Sequence, residues 1–152
     1  MPRIAILIII SALTATASAA ETQPPEVAYP DGYRDWPHVK LMMIDSGHPL
    51  FDTFGGLHHL IRQREAKAGY TSGRFPDGSV IVFDLLGAES MDSAVQEGER
   101  KLIGVMFKDV KKYAAIGGWG FEGFRGGTHE RLVTQANAAG CFGCHSARRR
   151  PA

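Results

Sequence analysis

Ser79-Val80-Ile81-Val82-Phe83-Asp84-Leu85-Leu86 is the stretch that decides the fold. Its β-branched residues, bounded by Gly78 and Gly87, read as a strand, and period-two alternation sets Ile81, Phe83 and Leu85 on one face. Phe75-Pro76-Asp77-Gly78 before it is a turn sequence. Upstream, residues 38–45 and 57–61 read as strands and 63–70 as a short helix. Downstream, 91–97 reads as a short helix, 101–107 as a strand, 109–115 as a second helix and the glycine-rich 119–124 as a strand. Residues 130–139 read as a helix leading into the last motif of the chain. Connections this short favour antiparallel pairing. The expected class is α+β, mainly an antiparallel β-sheet with short helices and a C-terminal helix carrying that motif.

The motif is Cys141-Phe142-Gly143-Cys144-His145, the C-x-x-C-H spacing of covalent c-type haem attachment. Each thiol adds to one haem vinyl group, and the neighbouring imidazole is carried into place to coordinate the iron. A disulfide, a thioredoxin-like redox pair and a partial zinc site also use close cysteines, but none of them needs His145. A zinc site would want further ligands, and the chain has only these two cysteines. The expectation is one haem c, with Cys141 and Cys144 as thioethers and His145 as the proximal iron ligand.

At the other end, residues 1–20 hold Arg3, the apolar run 4–10 and the small-residue close Ala17-Ser18-Ala19-Ala20, the order of a cleavable secretory signal. The apolar run is much shorter than the ~20 residues of a membrane span. Export and c-type haem support each other, so the expected location is periplasmic. Residues 21–32, with Pro24, Pro25 and Pro30, read as an extended leader, and 33–152 as one domain. Loss of 1–20 removes one of the 17 basic residues and none of the 16 acidic ones, leaving a net charge near zero. That balance argues against nucleic acid or a membrane surface as partner, and Arg148-Arg149-Arg150 reads as a solvated tail.

Most small electron-transfer cytochromes c are helical, and many carry this motif early; here it follows a β-rich domain. The ordered set Tyr33-Arg34-Asp35-Trp36, Gly73-Arg74-Phe75-Pro76-Asp77-Gly78 with its strand, Lys108-Asp109, Lys112-Tyr113-Ala114, Gly118-Trp119-Gly120-Phe121 and the motif at 141–145 resembles the cytochrome P-460 and cytochrome c prime-beta superfamily. The resemblance implies haem held against an antiparallel sheet, a histidine as the only strong protein ligand, five-coordinate iron and commonly a homodimer. The chain continues only seven residues past His145, fewer than in many relatives, so a more open proximal side is expected.

Two functions diverge within that superfamily. The hydroxylamine-oxidising branch carries a haem-cross-linking lysine where this chain has Phe83, and a pocket glutamate that falls near Gly104 or Val105. Lys101, Lys108, Lys111 and Lys112 lie on other elements and read as solvated. The chain is closer to the cytochrome c prime-beta branch, in which two phenylalanines cap the open iron face. Phe54 and Phe83 are the candidates, with Phe83 62 residues before His145 and Phe54 a further 29 upstream, as in that branch. Phe83 also suits ordinary core, and Phe51 is an alternative to Phe54. An apolar cap lacks the hydrogen-bond donors on which dioxygen depends, whereas nitric oxide and carbon monoxide need little such help.

The expected function is therefore binding of nitric oxide or a similar gas, with no catalytic residue assigned and the redox partner unknown. The alternatives are hydroxylamine or nitric oxide oxidation, and electron transfer with a sixth ligand from Met42, Met43, Met91, Met106 or the His58-His59 pair; the methionines also read as packing, and the histidines, one of which must face inward, as a surface or hydrogen-bonded feature. His38, His48 and His129 are weaker ligand candidates. Arg125 and Arg131 are candidates for haem propionate contacts, since guanidinium matches carboxylate. Glu122 reads as the solvent side of a half-buried strand.

Overall fold

A computed structural model describes residues 26–147. Residues 1–20, read as a signal, and the Arg148-Arg149-Arg150 tail lie outside them. The described residues form β1 (His38–Ile44), β2 (Gly56–Arg62), β3 (Val80–Met91), β4 (Ala94–Lys108), β5 (Trp119–Arg125) and β6 (Arg131–Val133). Every neighbouring pair is antiparallel, and the sheet order β1-β2-β3-β4-β5-β6 is the order of the sequence. The helices are short: α1 (Phe51–Phe54), α2 (Lys67–Ser72) and α3 (Ala138–Ala147). The α+β expectation holds.

Three helix expectations do not. Residues 91–97 form the tip of a hairpin, with Met91 paired to Ala94 across Asp92 and Ser93. Both turn residues have positive φ, 52° and 65°, the backbone twist that joins antiparallel strands in two residues. Residues 109–115 form turns instead: the Asp109 carboxylate accepts the backbone N–H groups of Lys111 and Lys112, and only Ala114–Ile116 make a 3-10 turn. Residues 131–133 pair with β5 as β6, so the last helix starts at Ala138 and contains the Cys141 motif. The helix expected over 63–70 lies at Lys67–Ser72 and ends on Gly73, whose φ of 74° closes it.

One sheet face carries the main core. Val82, Ile103, Val105 and Phe124 pack there with Ile61, Tyr113, Tyr33 and Val27. Val27 is 3% exposed, so the segment read as a leader contributes a core residue. Asp84 is also buried on this face, where it accepts from Tyr33 Oη at 2.9 Å and Arg100 Nε at 2.7 Å. Desolvation, reinforced by the Asp84 bond, pushes the Tyr33 hydroxyl well above the ordinary phenol pKa. The bond to Asp84 likewise raises Arg100.

Candidate functional site

The opposite face of the sheet carries the site. On β3, Ile81, Phe83 and Leu85 point away from the Val82 side, as alternation requires. Phe83 lies opposite Leu60 on β2 and Gly104 on β4; Ile81 lies opposite Met106, which in turn lies opposite Phe121 on β5. The Phe121 ring meets the His145 ring at 5.5 Å, so α3 is mounted on the face that Phe83 occupies.

Cys141, Cys144 and His145 stand at positions i, i+3 and i+4 of α3, which brings them to one side of the helix. Both cysteines are free thiols, Cys141 half-buried and Cys144 exposed. Burial pushes the Cys141 thiol above its usual pKa. His145 is exposed on one side, yet desolvation by its surroundings draws its imidazole below the usual value. Phe142 supports the helix from below, since a side chain at Gly117 would collide with its ring.

Phe54, at the end of α1, meets Phe83 edge to face, with centroids 6.3 Å apart and planes at 65°. Gly104 leaves room for Phe83, for a Cβ there would stand 3.1 Å from the Phe83 ring. Gly104 pairs with Gly123, which keeps the middle of this face shallow. Val105, by contrast, is 2% exposed on the core side. The two phenylalanines, the three motif residues and the low glycine floor thus share one face. Paired free thiols, an adjacent imidazole and an apolar wall are a donor set that fits haem.

Beside Phe83 lies His58, one of the paired histidines that read either as a hydrogen-bonded or surface feature or as an iron ligand. Alternation on β2 does separate His58 from His59. His58 is 4% exposed, its Nε2 is hydrogen-bonded to the Phe54 carbonyl, and its ring centroid is 4.8 Å from that of Phe83. Burial lowers its pKa. His59 faces the other way, with Nε2 3.0 Å from Glu97 Oε1 in ion-pair range but off the line of a hydrogen bond, and Nδ1 3.4 Å from His38 Nε2. It borders a cleft of about 180 Å³ with Arg34, Trp36, Asp84 and Arg100, on the face away from His145.

Arg125 and Arg131 each have a carboxylate partner. Arg125 Nε and the Glu130 carboxylate approach to 2.7 Å in a two-pronged exposed pair. Arg131 stands on the core face, 5.0 Å above the Phe124 ring, and binds Glu122 at 2.6 Å and the Val27 carbonyl at 2.9 Å. Glu122 is therefore buried, 3% exposed, and does not face solvent; Arg131, which sequence spacing alone does not place beside it, explains the difference. Lys101 donates to the Gly55 carbonyl at 2.8 Å and Lys108 to the Gly117 carbonyl at 3.0 Å. Met42, Met43 and Met91 are about half exposed or more, whereas Met106 lies beside Phe121 on the His145 side of the site.

The model of the family described as Cytochrome P460 matches residues 30–150 of the chain. No curated protein gives a significant match. Among the described residues, no helix is long and apolar enough to cross a membrane.

Proposed function

Because the chain belongs to the cytochrome P460 family, we propose that it is a periplasmic c-type cytochrome that binds nitric oxide or a similar diatomic gas, on the cytochrome c prime-beta side of that family. The observation that carries this reading is the Phe54–Phe83 pair on the sheet face that also holds α3. Cys141 and Cys144 anchor the haem, and His145 coordinates its iron from α3. Haem held there would supply an iron able to bind a diatomic gas.

Phe54 and Phe83 exclude water from that side and offer no hydrogen to an anionic ligand, which disfavours dioxygen relative to nitric oxide. The lysine that cross-links haem in the oxidising branch is replaced by Phe83, and the position directly across the ladder is Gly104, with no carboxylate to move a proton. Both replacements weigh against hydroxylamine oxidation. Commitment of His58 Nε2 to the Phe54 carbonyl weighs against a permanent sixth histidine ligand.

The visible spectrum of the purified protein tests the reading. It requires high-spin, five-coordinate haem that takes up nitric oxide when reduced. A low-spin spectrum in both oxidation states would sink it in favour of electron transfer, and a strongly red-shifted ferrous Soret band would reveal a haem cross-link.

A further inference from the structure

Phe54 ends a helix of a single turn, a length with little stability of its own. Leu50 and Phe51 in this turn are 40% and 41% exposed, so packing holds it weakly. The carbonyls at a helix end lack intrahelical partners. Here two side chains supply them: His58 Nε2 bonds to the Phe54 carbonyl, and Lys101 Nζ to the Gly55 carbonyl. Gly56 then enters β2 at φ 130°, with the Leu86 carbonyl only 2.1 Å from where a Cβ would stand. The chain is thus pinned immediately after Phe54.

Of these residues, His58 also touches the second phenylalanine. Its ring is 4.8 Å from Phe83, whose ring is 6.3 Å from Phe54, so the three close a triangle fastened at one corner by a hydrogen bond. The imidazole reaches across because His58 and Phe83 share a sheet face and stand diagonally across the β2–β3 ladder, His58 facing Leu85 and Phe83 facing Leu60.

We propose that His58 is a positioning residue that latches Phe54 against Phe83 and thereby sets how readily small ligands pass the pair. The role rests on the reading of Phe54 and Phe83 as the cover of the iron's open side. The role requires only the bond from Nε2 to the Phe54 carbonyl and no bond from His58 to iron. The bond to a backbone carbonyl fixes Phe54 whatever gas arrives, so His58 governs the rate of entry rather than the choice between gases.

The test uses the haem-loaded ferrous protein, with carbon monoxide as probe, in three variants. His58→Leu keeps the bulk and removes the donor, whereas His58→Gln returns an amide N–H near the Nε2 position. Phe83→Ala removes the cover itself. His58→Leu should speed carbon monoxide association on the order of 5-fold, the factor one neutral hydrogen bond is worth, and His58→Gln should return it to near wild type. Amide hydrogen exchange at Phe54 and Gly55 should quicken in His58→Leu and recover in His58→Gln, which a general loss of packing would not reproduce. If Phe83→Ala speeds association while His58→Leu does not, the latch is overturned and the cover stands. If Phe83→Ala leaves the rate unchanged, the cover reading fails first. Should His58→Leu not fold, His58→Asn, whose shorter amide does not reach the carbonyl, takes its place with the same two outcomes.

Discussion

Phe54 and Phe83, 29 residues apart in sequence and on different elements, meet edge to face at 6.3 Å on the half-exposed face of the sheet. Edge-to-face pairs add roughly 0.5–1.5 kcal/mol beyond the area they bury. That is enough to keep the pair closed and small enough to let it open thermally. Phe83→Ala should therefore speed carbon monoxide association with the reduced protein about tenfold, the factor for a barrier lowered by ~1.4 kcal/mol. Stopped-flow mixing reads the rate. Phe83 is only half-buried, so its loss should cost less stability than the ~3 kcal/mol or more of a fully buried phenylalanine.

Replacing both Cys141 and Cys144 with serine removes both thiols from α3 and leaves His145. Haem should then be extracted by acidified acetone, whereas it should stay with the wild-type chain through denaturation. A peroxidase-stained denaturing gel distinguishes the two, and wild-type haem lost under the same treatment would refute covalent attachment.

Asp84 is buried between Tyr33 and Arg100 on the core face, away from His145. Asp84→Ala leaves a mostly buried guanidinium and a buried hydroxyl without their acceptor, and should lower unfolding free energy by roughly 3 kcal/mol in urea. Its carbon monoxide rate should stay near wild type because the charge lies across the sheet from the site.

Burial holds the His58 pKa below the value near 6.5 that the unfolded chain shows. Below that value the unfolded state takes up a proton that the folded state resists, so stability should fall as pH drops from about 6.5 toward the lowered folded pKa. Above pH 7 both states hold a neutral ring and the contribution is flat. Urea midpoints for wild type and His58→Gln at pH 7.5 and pH 5 check this: the variant should lose less on acidification. Equal losses would show that other groups carry the acid sensitivity.

The strand at residues 80–86 was legible because β-branched residues and its flanking turns agree on one conformation. The hairpin at Asp92 and Ser93 was not, because Asp92 is followed by Ser rather than the glycine that usually completes such a turn, and the neighbouring Met, Ala, Gln and Glu suit a helix as well. The motif and the C-terminal helix that carries it were plain, but not where that helix begins, since Arg131–Val133 pair with β5 and helical local propensity does not reveal a strand partner. The phenylalanine pair could be proposed from spacing and resemblance together. A hydrogen-bonded role for one of the His58-His59 pair was legible, but not its partner, because a backbone carbonyl is announced by no side-chain pattern. Glu122 escaped for a related reason: its burial depends on Arg131 arriving from the next strand.

The sheet order that repeats the sequence order bears on assembly. Each strand finds its partner next along the chain, so ladder formation proceeds by successive short closures and requires no crossover. Along the chain, β1 to β5 all precede Cys141, Cys144 and His145. The sheet that carries Phe83 can thus form from neighbouring pairings before α3 docks on it.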